Sequence, residues 1–420
     1  MNIWLIHHHA IPPTEPGSTR HYSIARHLRA RGHDVSIVCS AISHHTRTDV
    51  LASHGAPRHI SMHDGVRFLR LRSARYSKND IRRIFNFLSF SARLRLGELA
   101  DLPRPEVILG SSPQPLSALA SLALARRLRV PFVLEIRDLW PETLCELGGY
   151  SRHNPAIALL YMIEKVLYTR SDAIITLLPS SLDYISSHGG ARDKIAHIPN
   201  GIDLEQAPYV TPQIDPDRFV VMYAGAHGLA NGLGEIIKAV ARLRELNPKK
   251  TILFRFVGGG PHKQSLRELA QSLSLTNVHF DDAVPKEQIF PVMAQADAYI
   301  LNVKDSPLYR YGISLNKAFD YLAMGRPTVF AGNAPNDLFA ASKSGLSVAA
   351  DDVEGMARAV LALSEMDHQE RVAMGKRGRD YVAAHCDYRE LARSVESVLS
   401  RVVAPARASQ SAEPFYPLTN

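Results

Sequence analysis

The chain has 420 residues, of which 45% are apolar and 21% charged, an ordinary balance for a soluble globular protein that excludes a largely disordered or collagen-like polypeptide. That length exceeds the usual ceiling for one hydrophobic core, so two domains of roughly 200 residues each are expected. The net charge is +8, and most of it lies in residues 1–205, which carry 25 Lys+Arg against 18 Asp+Glu.

The opening segment MNIWLIHHHA has no basic residue ahead of its short apolar stretch and no small-residue cleavage site, so a first β-strand over 3–6 is expected and not a signal peptide. A helix over 18–31 follows, then strands over 35–39 and 107–110, a helix over 116–128, and strands over 132–136 and 173–177. The uncharged run 107–125 is 19 residues long, enough to raise the question of a membrane span. Pro113, Gln114, Pro115 and four serines within it favour a strand, a turn and a buried helix instead. The alternation restarts with a strand over 219–226, a helix over 233–246, and strands over 252–260, 299–303 and 327–332. Strands alternating with amphipathic helices predict an α/β fold with parallel sheets in two units, residues 1–205 and 206–385. The proline-rich stretch 202–218 is the expected linker, a helix over 386–403 is expected to pack back on the first domain, and the Pro/Ser/Ala-rich tail 404–420 is expected to be disordered.

Cys39, Cys145 and Cys386 are far apart and form no CxxC pair, which supports neither a disulfide framework nor a structural zinc site and fits a reducing cytoplasm. His7, His8 and His9 end the first strand, but adjacent strand residues point to opposite faces and cannot all ligate one ion. The loop after them carries Gly17, Ser18, Arg20 and His21 where a helix opens, a place suited to phosphate or a sugar hydroxyl. Arg137 and Asp138 follow an apolar strand, either at the carboxyl end where open sheets bind ligands or as an ion pair that fastens the loop. Asn200-Gly201 marks a tight turn. Gly225, His227, Gly228 and Asn231 open the next helix, and Gly258, Gly259 and Gly260 close the following strand. Lys317 and Asp320 are three apart on a helix and so share one face, as phosphate and ribose ligands or as a surface ion pair.

In this order, PGSTRH, GHDVSIV, SSPQP, RDLWPE, IPNGID, YAGAHGLANGL, VGGGP and SLNKAFDYLAMGRP resemble the family 4 retaining glycosyltransferases of GT-B fold over roughly residues 1–400. The wording RDLWPE and NKAFDY is most similar to the bacterial branch that builds O-antigen and capsule repeats, N-acetylfucosamine transferases included. The resemblance implies two Rossmann-like domains facing a cleft, with an acceptor held by the first and a nucleotide sugar, UDP-linked, held by the second. It implies donor contacts at Gly225, His227, Gly228, Asn231, Gly258, Gly259, Gly260, Val284, Ser314, Asn316 and Asp320. Asp320 stands at the later position of the family's acidic pair, whose earlier position is Gly312 here. Relatives place an Arg and a Lys where this chain has Ala226 and Asn231, so Lys317 becomes the candidate cation for the departing diphosphate. Asp138 stands beside the position of a catalytic His or Asp in relatives, with Arg137 at the neighbouring candidate position. The resemblance implies that the leaving group is stabilised without an ion, and so a reaction that requires no metal or other cofactor.

Between Val66 and Gly97 nine Lys+Arg face one acid, Asp80, interleaved with apolar residues. Arg82, Arg83, Phe85, Phe87, Phe90, Arg93 and Arg95 therefore form a candidate surface for an anionic membrane and a lipid-diphosphate-linked acceptor, on a protein peripheral to the inner face of the plasma membrane. The alternative is a helix packed on the sheet under arginine stems. No stacking or helix-turn-helix pattern accompanies the charge, which argues against nucleic acid. Two other classes are weighed: a sugar-nucleotide isomerase of the same fold, such as a UDP-N-acetylglucosamine 2-epimerase, would need its own acid/base set. A two-lobed solute-binding protein would need an export signal.

Overall fold

A computed structural model describes every residue except 16, 45–46, 53–54, 78–80, 96–97, 212–214, 285 and 412–420, and describes 95, 230, 286–287 and 405–411 by backbone alone. Two units divide the chain: Met1–Pro199 together with the C-terminal segment from Tyr388, and Asn200–Asp387. The first division falls six residues before the expected junction at 205/206.

The first unit runs β1 (Asn2–Ile6), α1 (Arg20–Ala30), β2 (Asp34–Ser40), β3 (Arg58–His63), β4 (Val66–Leu71), α2 (Ile81–Arg95), β5 (Val107–Ser111), α3 (Pro115–Leu128), β6 (Phe132–Ile136), α4 (Glu142–Glu146), α5 (Pro155–Arg170), β7 (Ala173–Thr176), α6 (Leu182–Ser187) and β8 (Ile195–His197). Its strands form one sheet in the order β3-β4-β2-β1-β5-β6-β7-β8. All neighbours are parallel except β3, which returns antiparallel on β4. Asp64 and Gly65 close that hairpin with φ of 47° and 76°, the paired positive angles of a turn whose twist matches its strands. Ile3, Leu5, Val35, Ile37, Val107, Leu109, Val133 and Ile175 line one core with Tyr22 and Leu28 of α1. The C-terminal helix Tyr388–Ser411 joins that core through Leu391, Val395, Val398, Leu399 and Val403, a stripe at helical spacing. The helix runs to Ser411, past the expected boundary at 403. Residues 412–420 lie outside the described residues.

The second unit runs β9 (Arg218–Ala224), α7 (Leu233–Glu245), β10 (Thr251–Val257), α8 (Lys263–Ser272), β11 (Val278–Asp281), α9 (Lys286–Met293), β12 (Ala298–Asn302), α10 (Asn316–Ala323), β13 (Thr328–Ala331), α11 (Leu338–Ala341), β14 (Gly345–Val348), α12 (Val353–Glu365) and α13 (His368–His385). Its parallel sheet has the order β11-β10-β9-β12-β13-β14, the doubly wound arrangement. In each sheet the first strand lies inside and the chain reverses direction across it, at β1/β5 and at β9/β12. Carboxyl ends of strands at such points diverge and leave room for a ligand.

The basic segment does not form one cationic helix. Arg67 and Arg70 belong to β4, and acids from elsewhere in the first unit neutralise much of the stretch: Asp34 meets Arg67 at 3.4 Å, Asp49 meets Arg75 at 3.1 Å and Arg72 at 3.7 Å, and Glu15 pairs with Arg70. Arg93 is 2.7 Å from Glu98, a contact that removes it from the candidate membrane set. Phe90 is fully buried and Phe87 packs edge-on against His8 at 5.2 Å, so both face inward, since an amphipathic helix on a sheet must turn its largest rings to the core. Ile81, Ile84, Phe85 and Leu88 of α2 remain exposed beside Arg82. The side chain of Arg95 lies outside the described residues. Among the described residues no helix is long and apolar enough to cross a membrane.

Candidate functional site

In the first unit the switch point is built around Glu135, a lone carboxylate inside the apolar strand β6. Its Oε1 accepts from Arg20 Nε at 2.9 Å, and its Oε2 accepts from Ser111 Oγ at 2.6 Å and meets His21 Nε2 at 2.8 Å. Burial alone would raise this carboxyl, but Arg20, His21 and Arg137 together hold it well below its ordinary range. Arg20 also donates to the carbonyls of Ile198, at 3.1 Å, and Pro199. These contacts correct the expectation that Arg20 and His21 serve an acceptor or phosphate loop. Arg20 is 0% exposed, and a cation so placed must be neutralised within the fold, so the pair anchors α1 to β6. Gly17, at φ 135°, and Ser18 stand half-buried ahead of α1.

Arg137 and Asp138 follow β6, and the ion pair weighed for them does not form; among the described residues no carboxylate pairs with the Arg137 guanidinium. Asp138 exposes its side chain, while local desolvation pushes its carboxyl above the ordinary range against the pull of Arg137. His7, directly after β1, is buried and neither ring nitrogen has a hydrogen-bond partner in the protein. Its ring stacks on His21 at 4.3 Å and meets His9 edge-on at 6.1 Å. His8 points elsewhere and is fixed by Asn86, Nε2 to Oδ1 at 2.8 Å, with burial holding its imidazole down at about 3. Among the described residues no group of three or more His, Cys, Asp or Glu is placed to hold a metal ion.

In the second unit Lys317, in the first turn of α10, reaches the end of β9. Its Nζ donates to Tyr223 Oη at 2.8 Å and to Asn231 Oδ1, and lies 4.9 Å from the Tyr223 ring centre. Among the described residues no carboxylate pairs with it, and burial lowers its ammonium to about 7. Asn231 in turn donates from Nδ2 to the carbonyl of Ala226 at 2.9 Å. The cation thus stands against the two positions where the resemblance left a charge missing. A Cβ on Gly225 would press within 3.3 Å of the Lys317 Cε.

The glycine tract is explained by backbone, not by open space. A Cβ on Gly258 would fall 2.0 Å from the Gly225 carbonyl oxygen, and one on Gly260 would fall 2.6 Å from that of His227, so the two loops interlock. Gly259 meets nothing closer than 3.9 Å. Lys263 clamps the tract through the carbonyls of Gly258 at 3.0 Å and Asp281 at 2.6 Å. His227 is fully buried with both ring nitrogens unbonded, and burial, aided by Lys263, Lys317 and Arg267, lowers it to about 4, so it is neutral. Gly228 and Val284 are half-buried at the same strand ends. Ser314 is engaged with the Asn-Gly turn: its Oγ accepts from the Asn200 amide at 2.9 Å, and its carbonyl accepts from Asn200 Nδ2 at 2.7 Å. Asn316 opens α10 exposed, and Asp320 lies half-buried one turn beyond it. Sequence reading missed Glu135 and Tyr223, and weighed His7 only as a metal ligand; a single acid in the strand FVLEI was the available signal for the first.

Residues 17–201 match the family described as Glycosyl transferase 4-like domain, and residues 218–366 match that described as Glycosyl transferases group 1. WcaI of Escherichia coli (strain K12), named as a colanic acid biosynthesis glycosyl transferase, is 24% identical over 247 residues. That alignment covers 56% of this chain and 59% of WcaI, so the matched region spans less than two thirds of the relative. Sucrose-phosphate synthase from Thermosynechococcus elongatus superposes with TM-score 0.73 at 17% identity, over 96% of this chain and 99% of that one. HepE of Anabaena, solved in complex with UDP-glucose, superposes with TM-score 0.64 at 14% identity, over 96% and 100% of the two chains. At such identities the likeness establishes the fold: each unit is one Rossmann-like domain of the GT-B architecture.

Proposed function

We propose that this chain, which belongs to the two-domain glycosyltransferases of GT-B fold, moves a sugar with retention from a UDP-sugar to a lipid-linked or oligosaccharide acceptor in bacterial surface polysaccharide assembly. The observation that carries the donor half is Lys317, a half-buried cation that among the described residues pairs with no carboxylate, held by Tyr223 and Asn231 at the switch point of the second sheet. A departing diphosphate supplies the anion that this ammonium lacks. In the transfer, the bond from the anomeric carbon to the phosphate oxygen breaks and its electron pair leaves with the diphosphate. The acceptor hydroxyl oxygen bonds to the same carbon from the same face, and its proton passes to the departing phosphate. Lys317 stabilises the charge that develops on the leaving group, and Asp138 orients the acceptor hydroxyl.

The wording RDLWPE and NKAFDY supports an N-acetylated amino- or deoxy-sugar as the transferred group, and the exposed apolar face of α2 supports work at the cytoplasmic face of a membrane. The isomerase reading draws no support from the matched domains. Incubation with a panel of UDP-sugars and a lipid-diphosphate-sugar acceptor, followed by mass spectrometry of the lipid, tests the proposal. A mass increment of one glycosyl residue is expected; consumption of no UDP-sugar would reject it.

A further inference from the structure

We infer that the sheet edge bearing His7, His9 and Arg137 in the first unit is a binding site for a phosphate oxyanion, supplied by the diphosphate of the acceptor. The oxyanion chemistry stands on these residues alone, while its assignment to an acceptor rests on the proposed function.

Buried polar atoms without partners are rare, because each forfeits the hydrogen bonds it made to water. Among the described residues five such atoms lie at the carboxyl ends of three neighbouring strands: both ring nitrogens of His7 and Nδ1 of His9 after β1, Nε2 of Gln114 after β5, and Nε1 of Trp140 after β6. The amide Nε2 and the indole nitrogen can only donate, and Arg137 on the same edge is a third group with no acceptor capacity. The nearby buried carboxylate, Glu135, is occupied by Arg20, His21 and Ser111 and leaves the edge rich in donors. A sugar hydroxyl asks for acceptors as well as donors; a phosphate oxygen only accepts, which fits this set.

Arg137 supplies a positive local field. Burial is the main reason that the basicity of His7 and His9 is depressed, with Arg137 and neighbouring imidazoles adding to it and Glu135 opposing it at His7, so both rings are neutral and can offer N–H groups. The ring of His7 is held in place by its stack on His21, which opens α1. Thr19 does not cap that helix with its side chain and no acid occupies its first turn, so the positive end of the helix dipole adds to the field. The loop predicted for phosphate, Gly17 to His21, cannot supply the cation because Arg20 is turned inward; Arg137 takes that place.

Isothermal titration of the full chain with inorganic pyrophosphate, in the presence of saturating UDP, tests the site. Arg137→Gln and His7→Asn are each expected to weaken pyrophosphate at least tenfold, and Arg137→Lys to recover part of that loss. Thermal melting of each variant separates lost binding from lost folding, and Arg137, which forms no ion pair, can be exchanged even if His7 cannot. Unchanged affinity in folded Arg137→Gln, or no pyrophosphate binding by the unaltered chain, would overturn the site. A short prenyl diphosphate is expected to bind as tightly as pyrophosphate and to lose affinity in the same variants; pyrophosphate binding without it would overturn the acceptor as the source. UDP titrated against the same variants is expected to bind unchanged. Failure to consume any UDP-sugar would bear on the proposed function and leave this site standing.

Discussion

Lys317 ties donor binding to pH. Its ammonium titrates at about 7 because burial removes water without supplying an anion, and a bound diphosphate restores the missing charge. Only the protonated form offers that charge, so above pH 7 binding must take up a proton and the apparent affinity falls tenfold per pH unit until the bound-state pKa is reached. Between pH 6 and pH 8.5 the expected loss is about 30-fold, the factor by which the protonated fraction shrinks for a group titrating near 7. UDP-glucose suits the measurement, since its diphosphate diester does not ionise in that window, and His227, lowered to about 4, stays neutral throughout. Calorimetry in buffers of different ionisation enthalpy should show proton uptake approaching one per donor bound at pH 8. Lys317→Met should bind weakly at every pH with no proton uptake. A flat profile for the unaltered chain, or an equal slope in Lys317→Met, would refute the reasoning.

Four further outcomes are expected. Asp138→Asn should leave UDP-sugar binding intact and cut transfer at least tenfold in a steady-state assay; unaltered turnover would restrict Asp138 to a structural part. Gly258→Ala places a Cβ 2.0 Å from the Gly225 oxygen at a φ of 148°, so the second unit should lose about 2–4 kcal/mol in denaturant unfolding. Arg20→Leu leaves the Glu135 carboxylate buried without its guanidinium, an expected cost of about 3–5 kcal/mol, and much of it should return in the double variant Arg20→Leu/Glu135→Leu. On α2, Phe85→Asp combined with Ile84→Asp should abolish flotation on anionic liposomes, while the buried Phe90 offers the membrane nothing; undiminished flotation of the pair would move the docking face elsewhere.

The alternation of apolar runs with amphipathic helices made the two α/β units readable, because parallel strands buried on both faces must be continuously apolar. The series of local motifs placed Lys317, Asp138 and the glycine loops at strand ends for the same reason: a turn or a close backbone approach leaves its mark in consecutive residues. Strand β4 was hidden inside a segment read by its charge, since the acids that neutralise that segment, Glu15, Asp34 and Asp49, lie outside it in the chain.

Sequence alone determined which residues could carry charge or bend sharply. Tertiary structure decided which of them remained available. Arg20 and Arg137 look equivalent in a string of letters, yet one is drawn into the protein by Glu135 and the other, among the described residues, forms no ion pair at the sheet edge. Likewise Lys317 acquires its depressed basicity because the fold takes it out of water beside Tyr223 and Asn231, 94 and 86 positions away, and among the described residues sets no carboxylate against it. Electrostatic partnership depends on distance through space and on exclusion of water, and neither quantity is written in the order of the chain.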